Sequence, residues 1–308
     1  MAYDISNLDA KLQTYLDGNR AQLVSAAIFG VKSTDNMNIQ TGVKCDTPII
    51  RLENDVEFQN GEDCGFNASG ATTFSDRILH PEFVKVNMSW CDKDFLRTWA
   101  SHEVSVTAGR ETMPFEEKIT DNLVRKINVE VEKLIWQGDK TNGTGNLALM
   151  DGIHTLIEND ITNTVIPASN VIAKGSDTIF TRIEKLWQAI PAEYTDRVTF
   201  FTSVTNYKQL IVELTNSNLY HIFEEYQGEY RMRLPFAGNV ELVGLPALEG
   251  IDTIIATPYD NLYYGCDVEN DSEIFDMWYS KDDRVFKFDC EFAVAVQYAI
   301  PEAVFVNE

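Results

Sequence analysis

Four histidines, five cysteines and a dense run of carboxylates near residue 270 are the groups from which this chain could build chemistry. The histidines are His80, His102, His154 and His221, and no His-x-x-x-His or His-Glu-x-x-His spacing joins any two of them. The chain therefore lacks the spacing that sets two metal ligands on one helix face. His102 and Glu103 are neighbours in sequence, which turns their side chains apart on a strand or a helix. The cysteines (Cys45, Cys64, Cys91, Cys266, Cys290) are odd in number, far apart and without a Cys-x-x-Cys pair. That pattern fits reduced thiols, not a disulfide framework or a zinc site. No Gly-x-Ser-x-Gly elbow occurs, and no cysteine has a recognisable activating partner. Gly143-Thr144-Gly145-Asn146-Leu147-Ala148 mimics a dinucleotide fingerprint, but it follows a helical pattern, so the phosphate geometry would be wrong. Residues 267–283 hold seven acidic residues against one lysine and no glycine of a calcium loop, and they read as a solvated rim. Asn67-Ala68-Ser69 and Asn87-Met88-Ser89 match a glycosylation pattern that matters only in a secreted chain. No catalytic, cofactor-binding or metal-binding constellation emerges, and the expectation is of a protein that is not an enzyme.

Length and charge narrow the classes further. At 308 residues the chain can bury one large core or two connected ones. Apolar residues make up 44%, so wholesale disorder is excluded. Twenty-five basic residues against 48 acidic ones leave a net charge of −23, and such a surface repels phosphate backbones and anionic membranes. The start, Met1-Ala2-Tyr3-Asp4-Ile5-Ser6, has no basic region followed by an apolar core, so no signal peptide is expected. No apolar run approaches the length of a membrane span.

The elements that would have to position any functional surface can be read in order. Residues 7–30 have a helical pattern with a thin apolar face, suited to lying along a surface or a neighbour, and 31–46 are polar without periodicity, as an arm would be. Residues 47–95 alternate as strands do on either side of a turn-rich tip at 59–70, and they read as one long two-stranded arm. Such a hairpin cannot bury enough surface to stand alone, so it must rest on something. Pro114 opens a helix in which Phe115, Ile119, Leu123, Ile127, Val131, Leu134 and Ile135 recur at threes and fours up to Gly138, read as a left-handed C-cap. That is a spine of about 24 residues and roughly 36 Å. Asp121 and Arg125 are placed for an exposed ion pair on it. Beyond it lie a glycine-rich turn read as flexible, then weak strand signals at 156–157, 164–167 and 171–172. A helix capped by Ser176 and Asp177 and stopped by Pro191 follows. An α/β block then runs from Arg197, with a buried strand ending in a helix cap at Ser203. The long alternating run 284–300 and the segment 301–306 close the chain as strands.

The order of these elements carries more information than any motif. The spine helix empties into Gly138-Asp139-Lys140-Thr141-Asn142-Gly143 with Asp151-Gly152-Ile153 after it. Leu186-Trp-Gln-Ala-Ile-Pro-Ala-Glu-Tyr194 and Phe200-Phe-Thr-Ser-Val-Thr-Asn-Tyr-Lys-Gln-Leu210 follow. Phe292-Ala-Val-Ala-Val-Gln-Tyr-Ala-Ile-Pro-Glu-Ala303 brings the chain home. In this order the chain resembles the major capsid proteins of tailed bacteriophages, the Hong Kong 97 type fold, over nearly its whole length. The resemblance implies an α+β fold with residues 1–46 as N-terminal arm and helix and 47–95 as an extended loop over a neighbouring subunit. Residues 96–175 would be a peripheral domain with the spine helix, 176–283 an axial domain, and 284–308 strands returning to the peripheral domain. It marks Arg51, Phe58, Phe66, Arg77, Phe83, Trp90, Arg125 and Tyr226 for contact between subunits.

The implied function is a structural subunit that assembles as hexamers and pentamers into the icosahedral head enclosing double-stranded DNA. Its partners would be copies of itself, a portal and, because no long scaffolding extension is present, a separate scaffolding protein. It would work in the virion after assembly in the bacterial cytoplasm. Some members of the family weld subunits through a lysine–asparagine bond from the extended loop. Residues 45–84 here contain no lysine, so that chemistry is not expected from the loop tip, and Lys85 is the single candidate on the return strand. Two other readings remain at this stage: an encapsulin-like compartment with the same fold, and a cytoplasmic α/β enzyme with its site at a strand end of the 197–265 block.

Overall fold

The computed structural model describes residues 5–29, 31–60, 69–107, 115–217, 230–234, 236, 240–267 and 274–308. Helix α1 (Ile5–Phe29) presents Leu8, Leu12, Leu16, Leu23 and Ala27 on one stripe, and all five are buried. The thin face suited a helix lying along a surface or a neighbour, and it lies on the chain's own strand β11 (Ile274–Ser280), where Phe275 and Met277 meet it, and on the spine helix. A narrow row of leucines is enough because the sheet beneath it is itself apolar. Two polar contacts fix the register: Gln13 Nε2 donates to the Met277 carbonyl at 2.6 Å, and Asp9 accepts the Tyr279 N–H at 3.1 Å. The polar segment after α1 is not a loose arm either. Strand β1 (Asn38–Thr41) pairs parallel to β10 (Leu262–Cys266).

The hairpin is shorter than the alternation implied. Strands β2 (Thr47–Asp55) and β3 (Ala71–Leu79) pair only with each other. The chain then breaks at His80-Pro81, and β4 (Glu82–Cys91) joins β12 (Val285–Tyr298). Proline has no N–H to continue the ladder, which separates two runs that look continuous in sequence. Strand β12 is the common member of the first sheet. It pairs β10 and β11 in succession along one edge and β4 along the other. The acidic stretch read as a rim therefore contains β11, and among its described residues Asp267, Phe275 and Met277 are buried while Trp278 and the turn at 281–283 are exposed.

Helix α2 (Asp92–Thr107) leads toward the spine helix α3 (Phe115–Gln137). Pro114 and the residues just before it lie outside the described residues. The stripe of α3 is buried from Phe115 to Trp136, and Trp136 packs on Phe201 with ring centroids 5.1 Å apart. The Asp121–Arg125 pair is replaced by a local bond, in which the Arg125 Nε donates to the Asp121 carbonyl at 3.2 Å. Gly138 is not left-handed. It is glycine because a Cβ there would lie 2.3 Å from the Met150 carbonyl, and one on Gly152 would lie 2.7 Å from the Gly138 nitrogen. The two glycines let the end of α3 touch the start of α4 (Ile153–Thr162), with the Gly152 N–H donating to the Gly138 carbonyl at 2.8 Å. The turn between them is tied down. Asp139 accepts the backbone N–H groups of Asn142 and Thr141, which hold its carboxyl below the ordinary range, and Asp151 accepts from the Lys140 N–H. Leu156 and Ile157, read as a strand, belong to α4.

The second sheet has the order β5 (Val171–Ile172), β13 (Phe305–Asn307), β9 (Ile254–Pro258), β6 (Val198–Ser203), β8 (Glu241–Leu245), β7 (Arg231–Arg233). Every residue of β6 is buried, and Ser203 caps α6 (Val204–Asn216) by accepting the Asn206 N–H, as its sequence predicts. Helix α5 (Ile179–Ala189) is capped by Thr178 and not by Ser176 or Asp177. The two sheets do not follow the expected domain limits. Strands β10 and β11 lie in the first sheet, and the last strand, β13, joins the second. The fold class is α+β, as expected.

A buried arginine closes the second layer. Arg182, 3% exposed, donates from Nε to the Asn307 carboxamide at 2.5 Å, from Nη1 to the Asp252 carboxylate at 2.8 Å and from Nη2 to the Asp252 carbonyl at 2.6 Å. Partial burial would raise the Asp252 carboxyl, but Arg182, Lys174 and Asn206 together outweigh it and hold the group below its ordinary value. A depressed folded value means that the contribution is present above about pH 4, the unfolded value, and fades as pH falls through the folded one. Asp252→Ala should cost about 1–3 kcal/mol at neutral pH by leaving Arg182 short of an acceptor. Denaturant melts of both chains across pH 2–7 should converge at the acid end.

Candidate assembly surfaces

The hairpin β2–β3 has two chemically different faces because directly paired residues share a side. Leu52 pairs with Phe74, Ile50 with Asp76 and Pro48 with Ile78, so one face is a row of apolar side chains. These are bare: Ile50 and Phe74 are each 71% exposed and Leu52 54%. Beyond β2, Val56 and Phe58 are also exposed, Phe58 almost completely at 96%. The opposite face carries Ile49, Arg51, Arg77 and Leu79, and it is held by the chain's own body.

That hold has three parts. Ile49 and Leu79 are buried against Val43 and Ala295, with Tyr263 and Ala299 beside them. Leu79 can seat there because residue 265 is glycine, where a Cβ would come within 2.6 Å of the Leu79 Cδ2. Above this plug, Arg77 Nη2 donates to the Asp160 carboxylate at 2.5 Å and to the Gln297 carboxamide at 3.1 Å. Its guanidinium carbon lies 4.2 Å from the centre of the Tyr298 ring, a cation–π contact in a partly dry setting. The Tyr298 hydroxyl donates to the same Asp160 oxygen. Burial, with Asp160 adjacent, pushes that phenol well above its ordinary value. Arg51 completes the clamp with an ion pair to Glu302 at 2.7 Å.

The residues marked for inter-subunit contact thus divide. Arg51 and Arg77 serve the root of their own hairpin, Phe58 stands free at its outer end, and Phe66 and Tyr226 lie outside the described residues. Phe83 projects from β4 with 70% exposure. Trp90, seven residues on and facing the other way, is half-buried against Phe95 and Phe288. Arg125 is exposed on α3. Lys85 is ion-paired to Glu291 at 2.9 Å within its own sheet. Asp160, Gln297, Tyr298, Glu302 and Gly265 carry the root and had no local signal, since their roles come from elements far apart in sequence. Strict alternation at Pro48, Ile50 and Leu52 was the signal for the bare face.

No family model matches the sequence, and no curated protein matches it. Solved structures do. A subunit of the satellite phage P4 procapsid, a particle including the size determination protein, superposes with a TM-score of 0.64 at 10% identity over 99% of this chain and 98% of that one. A subunit of the cyanophage A-1(L) capsid does so at 0.56 and 10%, covering 92% of each chain. One of the Ralstonia phage GP4 capsid does so at 0.53 and 11%, over 88% of this chain and 86% of that one. The chain has the Hong Kong 97 type capsid fold. The resemblance implied one extended loop over 47–95, whereas the β2–β3 ribbon ends at Leu79 and residues 82–91 belong to the first sheet.

Arg77→Ala would leave the Asp160 carboxylate and the Gln297 carboxamide oxygen each short of a donor and should cost about 1–3 kcal/mol. Limited proteolysis should then cleave faster between residues 55 and 71, while the far-ultraviolet spectrum stays that of the parent. Unchanged cleavage would mean that the plug at Leu79 suffices alone.

Proposed function

We propose that this chain is the major capsid protein of a tailed bacteriophage, assembling as hexamers and pentamers into an icosahedral head around double-stranded DNA. What supports the reading is the likeness in fold over 99% of the chain to a procapsid subunit. The bare apolar face of a hairpin whose other face is already used supports it as well. An exposed row of this kind on a soluble chain marks a partner surface. In this reading the hairpin lies across a neighbouring subunit, and shell stability sums many contacts that are individually modest. Residues 96–175 with β4 and β12 form the peripheral part, and the layer built on β6, β8 and β9 forms the axial part, whose loops meet at the centre of each hexamer or pentamer. The charge of −23 suits a wall that encloses DNA without adhering to it. A portal and a separate scaffolding protein are the further partners, the virion is the site of action, and assembly takes place in the host cytoplasm. No side-chain constellation among the described residues favours an enzyme, and no group of three potential metal ligands occurs there.

Negative-stain microscopy of the purified protein, co-expressed with its scaffold where one is encoded beside it, should show closed shells, tubes or capsomers. Deleting residues 55–72 should leave a folded subunit, by circular dichroism and thermal melting, that no longer closes shells. Intact shells from the deletion would refute the role given to the hairpin. Shells that enclose protein in place of nucleic acid would move the assignment to an encapsulin-like compartment.

A further inference from the structure

Helix α4 is ten residues long and ties three parts of the chain together. In its first turn Ile153 belongs to the buried cluster that also holds Ile255 of β9 and Val306 of β13, and Thr155 donates to the Gly138 carbonyl at 2.6 Å. Its last turn carries Asp160, the acceptor of Arg77. His154 sits where the helix meets the second sheet, with its side chain only 12% exposed. Its Nε2 lies 3.3 Å from the Thr253 hydroxyl, just before β9, and its Nδ1 lies 3.6 Å from the Glu158 carboxylate one turn along α4.

A neutral imidazole suits this position, because the Thr253 hydroxyl can either donate to it or accept from it. A charged ring needs hydration, and the joint leaves it little water. Burial is the larger influence here and holds the ring's proton affinity below the ordinary histidine value, against the pull of Glu158 and of Glu308, the residue after β13. Those two carboxylates are the charged groups that face the ring among the described residues, since Asp252, beside Thr253 in sequence, is taken up by Arg182 and Lys174. The ordinary value is 6.5, so the stabilisation from a neutral His154 is complete above that pH and is lost as pH falls through the lower folded value. We propose that His154 makes the joint between α4 and the second sheet acid-sensitive: a proton on its ring draws water into the joint and loosens α4, with Asp160 on it, from the layer that contains β9. The device is contained in a single chain and does not rest on the assembly reading.

Amide hydrogen exchange of the full-length chain, followed by mass spectrometry and corrected for the intrinsic effect of pH, reads the joint directly. Between about pH 7.5 and about pH 5.5, on either side of the ordinary histidine value, peptides covering 153–162 should exchange several-fold faster in acid, while those of β12 keep their protection. His154→Gln keeps a side chain that can bond Thr253 but cannot take up the proton, so its α4 peptides should exchange alike at both pH values. Equal exchange in the parent chain at the two pH values, or an undiminished acid response in His154→Gln, would overturn the proposal. Glu158→Gln provides a second measurement on a residue that is more than half exposed. Removing a carboxylate that favours the charged ring should move the onset of acid loosening to lower pH, and an onset that stays in place or rises would overturn the proposal as well. Should His154→Gln fail to fold, the Glu158→Gln shift decides.

Discussion

A two-stranded ribbon has no interior, and the architecture of this chain is organised around that constraint. Each strand of β2–β3 has one neighbour, so both faces meet solvent unless something covers them. The body covers one face at its root through the Leu79 plug and the Arg77 clamp. The other is left apolar and uncovered. A ribbon that were polar on both sides would be soluble and idle. One that were apolar on both sides would collapse onto its own subunit. The amphipathic solution leaves an uncovered apolar face on an arm whose direction is set by the body.

Strand β12 is where that direction is decided. It pairs β4 on one edge and β10 and β11 on the other, and it also supplies Ala295, Gln297 and Tyr298 to the hairpin root. The spine helix reaches the same region by another route, since the Gly138–Gly152 contact turns the chain into α4, whose Asp160 receives Arg77. A shift of the spine relative to the sheet would therefore be felt at the hairpin root through one carboxylate. The path is short: a helix end, about two turns of α4 and a partly buried ion pair.

Much of the fold was legible in the residues themselves. The stripe of α3, the buried strand β6 with its Ser203 cap, the long run of β12 and the alternation of β2 all follow from local periodicity and capping, which act within a few residues. The order of these elements carried the capsid resemblance. What local pattern could not contain was partnership. Whether β4 continued the hairpin or joined β12 depended on a proline break and on a strand two hundred residues away. Gly138 read as a left-handed cap, whereas the positions of Met150 and Gly152 make it a close backbone contact. Arg51 and Arg77 were marked for contact between subunits, and no local pattern showed that they are bonded within their own chain. Their acceptors Glu302 and Asp160 are contributed by distant segments and become neighbours only once the sheet has formed. Periodicity is a property of one segment, whereas ion pairing and close approach are properties of two, and the second kind is fixed by tertiary structure alone.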